Sequence, residues 1–228
     1  MKQVSEVPLS LTVADVKHWL LQNEAIVIVD IRPARSFETG FITGAIAICA
    51  EDNITNRLQE LQLQKHPTIL VTDTAISARL ELLKNAVYEI IGFLNDGMIA
   101  WNNLNEPIDV LIGVETYELA LDIKFDEQVI LIDLRNEDIF DIEHIAQSVN
   151  IPLHELKDPA SMANLEDHQN IYVFGADAFS GITACSLIKK QGIHNLRYLM
   201  GGWPAIKAMP NIFEFVQSPS KNDEASKN

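Results

Sequence analysis

The sequence predicts an α/β fold built twice, as two domains that each carry a mostly parallel sheet with helices on both faces. Three observations predict it. The chain repeats itself: VIVDIRPARSFETGFITGAIAI at 27–48 is matched by ILIDLRNEDIFDIEHIAQSVNI at 130–151. Setting Asp30-Ile31-Arg32 on Asp133-Leu134-Arg135 gives an offset of 133 − 30 = 103, which also sets Phe37 on Phe140, Ile42 on Ile145 and Ile46 on Val149. Short apolar runs alternate with segments of helical spacing, and strands apolar on both faces belong to parallel sheets covered on both sides. The length of 228 residues, 47% hydrophobic and 21% charged, suits one large or two small globular domains and excludes disorder throughout.

The elements follow in the same order in both copies. Each opens with an N-capped helix, from Thr12 and from Glu115-Thr116, and continues into a strand that ends in Asp-x-Arg. A second apolar run follows at 68–72 and 170–174, then a loop of small residues, then helices at about 77–86 and 181–191. Strands at 89–94 and 195–199 lead to the turns Asp96-Gly97 and Gly201-Gly202. The domains are expected at 1–108 and 109–212, with a linker near 102–107 and a disordered tail over 213–228, polar from Ser218 onward.

Charge narrows the partners. With 17 Lys and Arg against 32 Asp and Glu the net charge is −15, which disfavours nucleic acid and anionic membranes because both are bound through Lys and Arg. No stretch approaches the roughly 18 apolar residues of a membrane span, and the first twenty residues lack the unbroken apolar core of a signal peptide, so a cytoplasmic protein is expected. His18, His66, His144, His154, His168 and His194 are scattered without ligand spacing, and two cysteines build neither a disulfide framework nor a four-cysteine zinc site. Neither a metal nor another cofactor is expected.

The repeated unit resembles the rhodanese (sulfurtransferase) family. The carrying residues are Asp30-Ile31-Arg32, Phe37, Gly40-Phe41-Ile42, Gly44-Ala45, Gly97, Ala100 and Trp101 in the first copy. In the second they are Asp133-Leu134-Arg135, Phe140, His144-Ile145, Asn150-Ile151-Pro152 and Gly201-Gly202-Trp203. Two such sets in register cover nearly the whole chain. The stretches GVETYELALDIKFDEQVILIDLR, DPASMANLEDHQNIYVF and IKKQGIHNL also resemble the double rhodanese region that follows a metallo-β-lactamase-fold domain in persulfide dioxygenase-like fusions. That resemblance implies a relative of the region without the metal-binding domain, and a metallo-β-lactamase-fold enzyme as a protein partner. The two domains are expected to pack on each other.

The resemblance implies a chemistry in which one cysteine takes a sulfane sulfur as a persulfide and passes it on. Its nucleophile must be a thiolate, set after a strand on a loop whose N–H groups and helix N-terminus cradle an anion. Matched position by position, the nucleophile falls on Asp73 in the loop Asp73, Thr74, Ala75, Ile76, Ser77, Ala78 and on Gly175 in the loop Gly175, Ala176, Asp177, Ala178, Phe179, Ser180. The family's loop arginine, five residues on, falls on Ala78 and Ser180, with Arg79 one step late. No catalytic residue is therefore assigned.

Each candidate has a plain reading beside a sharper one. Asp73 either fills the first cradle with its own carboxylate or serves as a carboxylate nucleophile, which would need a second acid and a magnesium site that the sequence does not supply. Gly175 is expected to leave a small vacancy, with Asp177 adding negative charge and Phe179 at the rim as packing residue or binding anchor. Cys185 reads as packing within an apolar helix; Cys49, at a strand end, reads as packing or as a reactive thiol. Asp30–Arg32 and Asp133–Arg135 are expected to tie the strand ends to neighbouring loops. His144 reads as a hydrogen-bonded loop histidine, Glu143 stands where the family favours glycine, and Trp101 and Trp203 read as packing. Three functions compete: a catalytically silent binding or regulatory module in sulfur metabolism, a sulfurtransferase or persulfide carrier using Cys49, and an accessory subunit of a metallo-β-lactamase-fold persulfide dioxygenase.

Overall fold

A computed structural model of the chain describes residues 9–73, 83, 89–166 and 168–217. The chain divides into two units between Leu111 and Ile112. In the first, strands β1 (Leu9–Leu11), β2 (Val27–Asp30), β4 (Ile46–Ala47), β5 (Pro67–Val71) and β6 (Glu89–Leu94) form one parallel sheet in the order β1-β6-β5-β2-β4. In the second, β8 (Gly113–Val114), β9 (Val129–Asp133), β11 (Ser148–Asn150), β12 (Asn170–Phe174) and β13 (Leu196–Leu199) form a parallel sheet in the order β11-β9-β12-β13-β8. The two orders are the same topology, strand for strand. Every residue of β2 is buried, as befits a strand covered on both faces.

The first helices form where the caps direct. In α1 (Val13–Gln22) the Thr12 hydroxyl accepts from the Asp15 N–H while the Asp15 carboxylate accepts from the Thr12 N–H. Glu115 and Glu118 make the same reciprocal cap at α5 (Thr116–Phe125). Between them come α2 (Ala34–Thr39), α3 (Ile54–Glu60) and α4 (Gly97–Asn103), and the second unit continues with α6 (Glu137–Ile142), α7 (Ala178–Lys190) and α8 (Gly202–Lys207). The helix expected at 77–86 lies, apart from the buried Leu83, outside the described residues.

Three expected boundaries move. Strand β7 (Ile108–Asp109) pairs antiparallel with β3 (Phe41–Ile42), so the first unit runs three residues past the expected 108. The expected linker at 102–107 belongs to that unit, because α4 reaches Asn103 and the buried Trp101 donates its ring N–H to the Pro107 carbonyl at 3.0 Å. The first five residues of the tail expected from 213 are ordered. Phe213 is part of the second core with Leu131, Tyr172, Phe174 and Ile206, and β14 (Phe215–Gln217) pairs antiparallel with β10 (Glu143–Ile145). Apolar Phe213 and Phe215 gain more from burial than the order costs, and the rest of the expected tail, from Ser218, lies outside the described residues.

Candidate functional site

Both sheets present their Asp-x-Arg motif at the C-terminal end of a central strand, the end where ligands bind in open α/β sheets. Asp30 and Arg32 are buried and share a bidentate pair, with Arg32 Nη2 donating at 2.8 Å to the carboxylate and at 2.7 Å to the Gly40 carbonyl. Asp133 and Arg135 repeat the arrangement, the guanidinium reaching the Glu143 carbonyl at 2.8 Å. These ion pairs tie strand end to loop. Their donors are turned inward.

The second loop is filled from within. A Cβ at Gly175 would overlap the Ser180 Cβ and stand 3.0 Å from its Oγ, so the vacancy expected at Gly175 is taken by Ser180. This corrects the sequence reading: the side chain in the arginine position occupies the space of the side chain in the nucleophile position. Asp177 caps α7, its carboxylate accepting from the Ser180 N–H and the Ser180 hydroxyl, each at 2.7 Å. A helix N-terminus draws anions through such donors, and here the protein supplies its own anion. Phe179 is half-buried, Ala176 is exposed and Ala178 opens the helix.

In the first loop Asp73 is exposed, and its carboxylate contributes to raising the Asp30 carboxyl, for which burial is the largest cause. Thr74, Ala75, Ile76, Ser77 and Ala78 lie outside the described residues, and with them the expected filling of that cradle. Neither cysteine resembles an activated thiol. Cys49 is 1% exposed, and burial, reinforced by Glu51, Asp52, Asp30 and Glu38, pushes its thiol far above the ordinary range. Cys185 is buried within α7, and burial pushes its thiol up as well. Among the described residues, no group of three or more His, Cys, Asp or Glu side chains is arranged to hold a metal ion, and no helix is long and apolar enough to cross a membrane.

Trp203 does more than the packing expected of it. The Arg135 guanidinium lies 3.5 Å above its ring centroid, Phe174 stacks beside it, and Phe215 meets it edge-on. The strand-end ion pair is thus roofed by an aromatic ring, which a Gly-Gly-Trp turn after a strand could have signalled. His144 donates its Nδ1–H to the Phe140 carbonyl, 2.8 Å away, and stacks on that residue's ring. Glu143 clamps α8 and β14, accepting from Lys207 at 2.8 Å and from Gln217 at 2.7 Å, and these hydrogen bonds hold its carboxyl below its ordinary value. A carboxyl depressed in the folded state stabilises above its unfolded pKa and loses that contribution as pH falls through the folded value. Lowering the pH from 5 to 3 is therefore expected to lower the urea midpoint more in the unaltered protein than in Glu143→Gln, as followed by circular dichroism.

Comparison with known proteins finds the rhodanese-like domain at residues 12–104 and again at 116–209. No curated protein matches the chain. Among solved structures it is similar to the rhodanese-like domain of an Anabaena sp. protein, at 25% identity over 46% of this chain and 79% of that one, with a TM-score of 0.42. It is also similar to thiosulfate sulfurtransferase from Pseudomonas aeruginosa, at 14% identity over 96% of this chain and 47% of that one, with a TM-score of 0.39. The 3-mercaptopyruvate sulfotransferase SseA from Escherichia coli is 17% identical over 86% of this chain and 99% of that one, with a TM-score of 0.37. The two family matches fall one in each structural unit, and the chain belongs to the rhodanese-like domain family as a tandem pair.

Proposed function

We propose that this tandem rhodanese-like protein binds rather than transfers, acting as a catalytically silent module in sulfur metabolism. The observation that carries the reading is the second loop, where Gly175 stands in the nucleophile position, Ser180 fills the space and Asp177 takes the helix-terminal donors. A sulfurtransferase needs a thiolate facing an anion cradle. The burial of Cys49 and the carboxylates around it speak against the persulfide-carrier alternative.

The purified protein is expected to show no thiosulfate:cyanide sulfurtransferase activity above buffer. Turnover that disappears in Cys49→Ser or Cys185→Ser overturns the reading, and so does a one-sulfur adduct on Cys49 in mass spectra after incubation with a persulfide donor. The partner class nominated by sequence resemblance is a metallo-β-lactamase-fold persulfide dioxygenase. Association with it at tens of micromolar in sedimentation supports that assignment, and its absence there rejects it.

A further inference from the structure

We infer that the second unit carries a binding site for a small apolar primary amine, in a cavity between its sheet and the segment after β11 and remote in sequence from the 175–180 loop. The two repeats differ here. In the first unit Val27, Val29 and Ile46 are all buried, and the segment after β4 forms α3 and a 3₁₀ turn that bury Leu58, Leu61 and Leu63. The offset of 103 matches the three strand residues to Ile130, Ile132 and Val149. In the second unit α3 is replaced by two short 3₁₀ turns, Leu153–Glu155 and Pro159–Met162, and Val149 is 51% exposed where Ile46 is 2% exposed.

A cavity of about 440 Å³ results, walled by Ile130, Ile132, Val149 and Leu165, with Glu155 and Asn164 contributing polar groups. That size is within the range of small-ligand pockets, and an apolar wall with a few polar groups is their usual composition. Among the described residues no ion pair or side-chain hydrogen bond engages the Glu155 carboxylate or the Asn164 amide. A ligand that places an aliphatic stem on the wall and an ammonium at Glu155 satisfies both, and the net charge of −15 draws cations toward the surface. The site is independent of whether the 175–180 loop is silent.

The test titrates hexylamine, hexan-1-ol and hexanoate into the isotope-labelled full chain and follows backbone amide resonances. Hexylamine is expected to shift those of Val149, Glu155, Asn164 and Leu165 with a Kd of about 1 mM or below. Glu155→Gln, an exposed substitution, is expected to weaken hexylamine at least fivefold while leaving hexan-1-ol unchanged, and Val149→Trp, which fills the mouth, to abolish both. Hexanoate or hexan-1-ol binding as tightly as the amine overturns the ligand class. An absence of shifts at these four residues up to 20 mM amine, or equal binding to Val149→Trp, overturns the site.

Discussion

Asp133→Ala is expected to destabilise the second unit by about 3–5 kcal/mol, because it leaves the Arg135 guanidinium buried without its counter-ion. The remaining partners are the Glu143 carbonyl and the Trp203 ring, both neutral, and the ring holds the guanidinium against retreat into water. Asp133 also accepts from the Arg135 N–H, so the strand end loses its local turn as well. Amide hydrogen exchange separates the two units: protection of β9 and β12 is expected to fall by the opening free energy lost, with β2 and β5 unchanged. The double variant Asp133→Leu/Arg135→Met is expected to recover much of the loss, since exchanging a whole buried pair for apolar side chains costs far less than removing one member. A single variant with protection equal to the unaltered protein would mean that water reaches Arg135 in the folded state.

What is legible in the sequence is what repeats. Two Asp-x-Arg strand ends 103 residues apart disclose the tandem α/β architecture because short continuous apolar runs and capped helices are local signals, each read from a few neighbouring residues. The filling of the second loop is different in kind. It depends on the distance between a missing Cβ at 175 and a serine five residues on, and the sequence shows a glycine without showing what stands against it. The cavity is hidden for another reason. Leu153, Leu156 and Met162 are buried much as Leu58, Leu61 and Leu63 are in the first unit, but Asp158-Pro159 breaks the segment into separate turns. A missing helix leaves no motif behind.

Gly202→Ala is expected to be as damaging as removing Asp133, and Gly192→Ala supplies its control within the same unit. Both glycines have left-handed backbone, with φ of 57° and 92°, so both substitutions carry the conformational cost of an L residue there, about 1–2 kcal/mol. Their surroundings differ. A Cβ at Gly192 meets nothing within 4 Å, whereas one at Gly202 would stand 2.6 Å from the Asp177 carbonyl oxygen and 2.7 Å from that of Gly175. Neither oxygen is free to retreat: the Gly175 carbonyl accepts from the Trp203 N–H at 2.8 Å, and Asp177 is held as the cap of α7. Overpacking against backbone therefore adds to the conformational term, for a total of about 3–5 kcal/mol at Gly202. The expected result is a loss of β12 hydrogen-exchange protection in Gly202→Ala far exceeding that in Gly192→Ala. Equal losses would show that the cost is conformational alone and that the 175–180 loop can move away from the Gly-Gly-Trp turn.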